Sequence, residues 1–266
     1  MKPVHLLVPL WFAFSAAHAT EIGIVTLADT GARFLRGVTW YKLAPGIRLE
    51  EGDIVEAPDK VQLQIEAPDA TLGLIGPGSF YAVPPSVKGS PATPLLDAQG
   101  GWIKTATRAK RNLRIATPAA VFTQTEAVTV LHAEPAATAL FVESGTARVT
   151  EIDGNGKEAA SRDLRSGEFW SRAAAGRPAV AANRPASGFV SAMPRIFRDA
   201  LPTLAARYKD RRVAPVPDRE LTYGEARPWL LGPYRRDFLK RFQPRLSDNA
   251  FRAEVDAHAS DHIEWD

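Results

Sequence analysis

The chain has 266 residues, 45% apolar and 24% charged, the balance of an ordinary globular protein with one large core or two modest ones. It contains no cysteine, which excludes disulfides, thiol nucleophiles and thiolate metal ligation. Thirty-three Lys and Arg against 30 Asp and Glu leave a net charge of +3, too small to demand a polyanionic partner.

Residues 1–19 read as a secretory signal peptide. Lys2 supplies the positive start, an apolar run follows from Val4 to Ala17, and Ala17-His18-Ala19 has the small-x-small form cut by a signal peptidase. The run contains Pro9 and is short of the roughly 20 residues that a spanning helix needs. No later segment reaches about 18 consecutive apolar residues, so the expectation is an exported periplasmic chain that starts at Thr20 and does not span a membrane. Export sets nucleic acid aside as a partner.

From about residue 21 to 172 the pattern is β-like. Val61-Gln62-Leu63-Gln64-Ile65-Glu66 alternates apolar and polar side chains, as a strand with one buried face does. Val128-Thr129-Val130 and Ala147-Arg148-Val149-Thr150 are further strand candidates. Turn chemistry separates them at Gly52-Asp53, Pro68-Asp69, Gly76-Pro77-Gly78 and Ser166-Gly167, and Asp153-Gly154-Asn155-Gly156 reads as a hairpin tip. Many short strands at regular spacing predict a mainly β fold: a sandwich, barrel or short solenoid. Residues 84–98, with Pro84, Pro85, Pro91 and Pro94, read as a surface loop between two β halves. Residues 173–193, rich in Ala, Arg and Pro, read as a linker.

From residue 194 to 266 the period shifts toward 3.6, predicting a small helical region. Thr222 and Glu225 have capping-box spacing and open a short helix interrupted by Pro228. Tyr234, Phe238 and Phe242 fall at i, i+4 and i+8 with Leu239 beside them, while Arg235, Arg236, Lys240 and Arg241 fill the other face. Ser247 or Asp248 caps a last helix that carries Phe251 and Val255.

The β-rich span, residues 20–172, resembles the FecR domain, a periplasmic β-rich module. Gly31-Ala32 to Phe34-Leu35 is similar to its opening strand, and Leu49-Glu50-Glu51-Gly52-Asp53-Ile54-Val55 to its "l-x-x-G-D-x-v". Val61 to Ile65, Ala70 to Leu74 and Gly76-Pro77-Gly78-Ser79 look like a strand pair and the turn after it. Leu113-Arg114-Ile115-Ala116-Thr117-Pro118-Ala119-Ala120-Val121 resembles "v-R-T-P-x-a-x-v". Phe141 to Val149 and Leu164-Arg165-Ser166-Gly167-Glu168 look like its closing segments. These motifs are turns, and they specify scaffold rather than chemistry. Where the family has Arg-Gly-Thr, this chain has Gln124-Thr125-Glu126, so that turn is expected to be built differently. Sensor members carry a cytoplasmic domain and a membrane helix before the β-domain. A leader with a cleavage pattern stands in that place here, so the family's anti-sigma regulation is not carried over.

The resemblance implies a non-catalytic binding or scaffold protein with an envelope protein partner, used in protein–protein interaction or sensing. The alternative is a binder of cell-wall polysaccharide. For either, Trp40, Tyr41, Trp102 and Trp170, with Trp229, are the aromatic anchor candidates, set against plain core packing. Arg235, Arg236, Lys240 and Arg241 form a candidate basic surface. His258 and His262, four apart with Asp256, Asp261 and Glu264 nearby, are a weak metal candidate against a fraying polar helix. Glu126, Glu134, Glu143, Glu151 and Glu168 make no recognisable acid–base pair, there is no nucleophile elbow or phosphate loop, and neither an enzyme nor a cofactor is expected.

Overall fold

The computed structural model describes residues 20–84, 95–108, 112–173 and 177–265. The proposed signal peptide and most of the Pro-rich stretch at 84–98 lie outside the described residues. In chain order the strands are β1 (Glu21–Ala28), β2 (Arg33–Arg36), β3 (Thr39–Lys42), β4 (Arg48–Glu50), β5 (Ile54–Ala57), β6 (Gln62–Ala67), β7 (Ala70–Ile75) and β8 (Gly78–Val83). They continue with β9 (Leu95–Ala98), β10 (Gly101–Thr107), β11 (Leu113–Ala116), β12 (Ala120–Glu134), β13 (Ala137–Ile152), β14 (Glu158–Arg165), β15 (Phe169–Arg172), β16 (Val180–Ala182) and β17 (Val216–Glu220). Four α-helices are α1 (Ser187–Ala192), α2 (Tyr223–Leu230), α3 (Arg235–Phe242) and α4 (Asn249–Ala257).

The strands join into one curled, mainly antiparallel sheet. One half runs β4-β1-β6-β7-β10 and the other β17-β3-β2-β5-β8-β9-β11. The long strands β12 and β13, of 15 and 16 residues, belong to both. The first part of β12 pairs with β11 through Val121–Gln124, and its second part pairs with β10 through Val128–Ala133. β13 divides its partners the same way, between β15 and β14. The pair bends where Glu126 takes φ 47° opposite Gly145 at φ 78°. A methyl group at Gly145 would lie 2.3 Å from the Glu126 carbonyl oxygen, so only glycine fits the bend. The substituted Gln124-Thr125-Glu126 segment is therefore a bulge in a continuous strand.

Because of that bend the two halves close over a single core. Val25, Leu63 and Leu74 from one half meet Phe34, Val55 and Phe80 from the other, with Phe122 and Trp170 between them. Burial of each such side chain is worth about 1.5–3 kcal/mol. Turns read from sequence form as expected. Asp53 is buried, accepts from the Glu50 amide at 2.9 Å and takes the Arg36 guanidinium at 2.7 Å. Asp153 accepts from the amides of Asn155 and Lys157 at the β13–β14 hairpin tip.

Both outer faces of the sheet are covered. Helices α2–α4 bury Leu230, Phe238, Phe242 and Phe251 against Leu35, Trp40, Ile54 and Tyr81. Glu225 reaches back to the Thr222 amide at 3.1 Å, and Asp248 caps α4 by accepting from the Phe251 amide at 2.8 Å. On the opposite face, α1 and the extended segment 194–213 pack Phe189, Met193 and Phe197 on Trp102, Val130 and Phe169. Two sequence expectations change here. Residues 173–193, read as a linker, contain β16, which pairs with β15, and α1, whose Phe189 is buried. Residues 95–98, read as surface loop, form β9, with Leu96, Asp97 and Ala98 buried.

The alternating β6 segment also departs from its expectation of one wet face. Gln64 and Glu66 are 2% and 4% exposed, because residues 194–213 cross over them as a strap. The Gln64 amide donates to the Pro202 carbonyl at 2.8 Å, and the Glu66 carboxylate accepts from the Leu204 and Ala205 amides at 2.7 and 3.2 Å. On β10, Lys104 is 1% exposed and donates to Glu143, the Phe197 carbonyl at 2.8 Å and the Asp199 carbonyl at 2.9 Å. The three ammonium donors are thus all used. Removing them strands Glu143 and two carbonyls, so Lys104→Met is expected to lower unfolding free energy by about 3 kcal/mol in a urea titration. The same variant should be cut by protease within 194–213 before the sheet is attacked.

Candidate functional site

Where the β5–β6, β7–β8 and β9–β10 connections meet, a cleft of about 900 Å³ opens on the sheet edge. Its floor is backbone-rich, built by Gly76, Pro77 and Gly78 against Gly100 and Gly101. The packing there excludes side chains: a methyl at Gly78 would lie 2.2 Å from the Gly100 carbonyl oxygen. A second cavity of about 360 Å³ lies between this edge and the helical region, walled by Trp229, Pro233 and Tyr234. Glu56, Ser79 and Gln99 line both, so the two adjoin across these residues as a two-part groove.

Charged groups along the groove are mostly neutralised. Glu56 accepts from Arg33 at 2.9 Å, and Arg33 also reaches Glu225 at 3.0 Å while its guanidinium lies 4.1 Å over the Trp40 ring. Glu225 further takes two bonds from Arg219, at 2.8 and 2.6 Å, and one from the Trp40 indole at 3.2 Å. Burial alone would raise the Glu225 carboxyl, but Arg219, Thr222 and Arg33 together outweigh it and hold it well below the usual carboxylate range. At the other end His132 stacks on Trp102 at 4.1 Å. Burial lowers the His132 pKa against the pull of Glu134, so the ring is neutral at pH 7 and its 3.7 Å approach to Glu134 is not an ion pair at that pH.

One carboxyl behind the groove is different. Asp97, on β9, is 4% exposed and accepts from the Gln99 amide and the Tyr234 hydroxyl. Burial pushes it up to about 6, against the downward pull of those two donors. Burial likewise raises Tyr234, and it pushes Tyr81, beside Tyr234 at 5.4 Å between ring centroids, up to about 12. No cation pairs with Asp97 among the described residues; Tyr234 ties it to the start of α3.

The aromatic anchors proposed from sequence are mostly core. Trp40 and Trp170 are 2% and 1% exposed, the former under the helical region and the latter against Phe122 in the main core. Trp102 is buried between His132 and Phe189 and offers the groove little more than its edge. Tyr41 is half-buried and stacked on Phe34 at 5.2 Å. Of the aromatic candidates, half-buried Trp229 lines the groove beside Tyr234, which sequence placed only on the buried face of its helix.

The basic face is also rearranged. Arg241 turns inward and donates to the carbonyls of Gly37, Gly52 and Leu35, at 2.7, 2.6 and 3.0 Å, and burial lowers its pKa. Arg235 pairs with Glu264 and donates to the Leu230 and Asp261 carbonyls. Only Arg236 and Lys240 of the four stay exposed.

His258 and His262 do not share a helix face, because α4 ends at Ala257. His262 is 1% exposed and meets the Tyr223 hydroxyl at 2.6 Å, and its nearby carboxylates Asp261 and Glu264 are paired with Arg227 and Arg235. Among the described residues no three His, Asp or Glu side chains converge as metal ligands. The glutamates weighed for acid–base work are dispersed: Glu143 pairs with Lys104, Glu151 approaches Arg172 at 3.9 Å, and Glu168 accepts from the Arg165 amide.

No family model and no curated protein matches the chain. Among solved structures it is similar to a candidate anti-sigma factor from Parabacteroides distasonis ATCC 8503, in crystals at 1.65 and 2.50 Å resolution. Both superpose with a TM-score of 0.42, at 13% and 12% identity, over 52% of this chain. The chain spans 63% and 62% of those structures, less than two thirds of their length.

The raised Asp97 carboxyl has a signed consequence for stability. Its proton is held more tightly in the folded chain than in the unfolded one, so this group's contribution is greatest below pH 4 and is lost as pH rises toward about 6. Wild type minus Asp97→Asn, compared by thermal unfolding from pH 4 to 7, should therefore fall across that window and level off above it.

Proposed function

We propose that this chain is a non-catalytic binding or scaffold module of the bacterial envelope, exported to the periplasm, and that its groove receives a segment of a protein partner. The observation that carries the reading is the adjacency of the two cavities, which share Glu56, Ser79 and Gln99. A two-part depression with a glycine-lined floor that carries no side chains and half-buried rings at one end suits an extended peptide, whose side chains can occupy the two parts in turn. Carboxylates locked to Arg33 and Arg219 suit recognition better than proton transfer, since a general base needs a free lone pair near neutral pH. The FecR-like order of turns supports the envelope setting, as does the leader pattern of residues 1–19. The cell-wall polysaccharide alternative loses its main support, because Trp40, Trp102 and Trp170 are buried.

Trp229→Ala trims the groove wall, whereas Arg162→Ala changes an exposed residue of β14 and serves as the control. With a partner isolated from periplasmic extract and re-measured as a purified pair, Trp229→Ala should weaken binding at least tenfold, and Arg162→Ala should not. Sedimentation of the wild type with isolated peptidoglycan, reduced by Trp229→Ala in place of any protein partner, would contradict the reading.

A further inference from the structure

The strap that satisfies Lys104, Glu66 and Gln64 also carries a run of cationic side chains. Between residues 195 and 213 it carries Arg195, Arg198, Arg207, Lys209, Arg211 and Arg212, against Asp199 and Asp210. All six cations are exposed, and none makes an ion pair among the described residues. Elsewhere Arg33, Arg36, Arg48, Arg148, Arg219 and Arg235 each hold a carboxylate.

The path of the strap runs across the sheet. Phe197 and Leu201 sit over Gly73 of β7, where a methyl would lie 3.1 and 3.0 Å from them. The backbone is held at β10 by Lys104, at β6 by Gln64 and Glu66, and beyond β1 by Arg48 of β4, which donates to the Lys209 carbonyl at 3.4 Å. Tyr208 and Val213 close on Gly46. The segment thus crosses five neighbouring strands, β10, β7, β6, β1 and β4, a width of roughly 20 Å at about 4.8 Å per strand. Phe197, Leu201 and several main-chain groups are turned to the sheet, and the six cationic side chains stay exposed. Beside Arg195 and Arg198, two aliphatic side chains protrude: Ile196 at 41% exposure and Val190 at 40%.

We infer that this face is a docking surface for a membrane rich in anionic phospholipid headgroups. Unpaired cations spread across five strands match a field of phosphates, and aliphatic tips beside arginines suit shallow seating among headgroups. A specific protein interface would instead be expected to offer aromatic anchors, and the two rings of the strap, Phe197 and Tyr208, are turned against Gly73 and Gly46. The strap meets the groove only at its start, where Pro194 lines the cleft, and the four cations Arg207, Lys209, Arg211 and Arg212 line neither cavity, so the inference does not rest on the partner proposed there.

The test is co-sedimentation of the chain from residue 20 onward, which holds every described strand and helix, with phosphatidylcholine vesicles containing or lacking about one third phosphatidylglycerol. Wild type should bind the anionic vesicles at least tenfold more tightly than the neutral ones, and 0.5 M salt should abolish the difference, since about 0.5 M shortens electrostatic screening to a few ångströms. Arg207→Ala, Lys209→Ala, Arg211→Ala and Arg212→Ala together should cost at least tenfold, while Arg162→Ala with Arg165→Ala on exposed β14 should cost less than twofold. Circular dichroism and melting temperature establish that both variants fold. Equal binding to both vesicle types, or undiminished binding by the quadruple variant, would overturn the inference. So would binding of soluble polyglutamate without binding of vesicles, which would make the face a site for acidic protein.

Discussion

A lysine ammonium removed from water needs three acceptors, and for Lys104 two of them come from residues 93 and 95 positions later in the chain. Without Phe197 and Asp199 the buried ammonium would keep Glu143 alone and lose two of its three acceptors, at a cost of about 3 kcal/mol. Glu66 and Gln64 impose the same condition two strands away. The sheet therefore cannot exist in its observed form without the strap. By laying the chain across five strands, the strap delivers β17 and the helices to the opposite face, where they wall the groove and seal Trp40.

This dependence separates what the sequence discloses from what it hides. Local chemistry is legible. Gly52-Asp53 and Asp153 to Gly156 announce turns because a short carboxylate can cap its own backbone. Asp248 and the Tyr234-Phe238-Phe242 spacing announce helices because caps and faces are local facts. The curled sheet follows from such signals in the aggregate, and the mainly β expectation holds. The outer face of β6 is not legible. Gln64 and Glu66 look like solvent-facing polar residues until a distant segment covers them, and binary patterning carries no information about a cover that far downstream.

The same limit accounts for the candidate site. Trp40, Trp102 and Trp170 are large enough to be anchors or core, and only tertiary packing decides; here all three became core. Arg241 looked like the outer face of an amphipathic helix, but that helix lies against the turn carbonyls of Gly37 and Gly52, which required a donor. The groove was invisible because much of it is backbone, contributed by glycine turns that read only as punctuation. The unpaired arginines of 195–212 lay in the region read as helical, and the structure builds that stretch as a strap with only short 3-10 turns at Arg195–Arg198 and Ala205–Tyr208.

Buried charge met by distant backbone makes the β region and the C-terminal region one cooperative structure. Native-state hydrogen exchange tests this most directly, by following the Leu204 and Ala205 amides that bond to Glu66 alongside the β6–β7 ladder. If the account is right, those two amides and the β6 amides exchange with the same protection and lose it at the same denaturant concentration. Rapid exchange at 204 and 205 while β6 remains protected would contradict it.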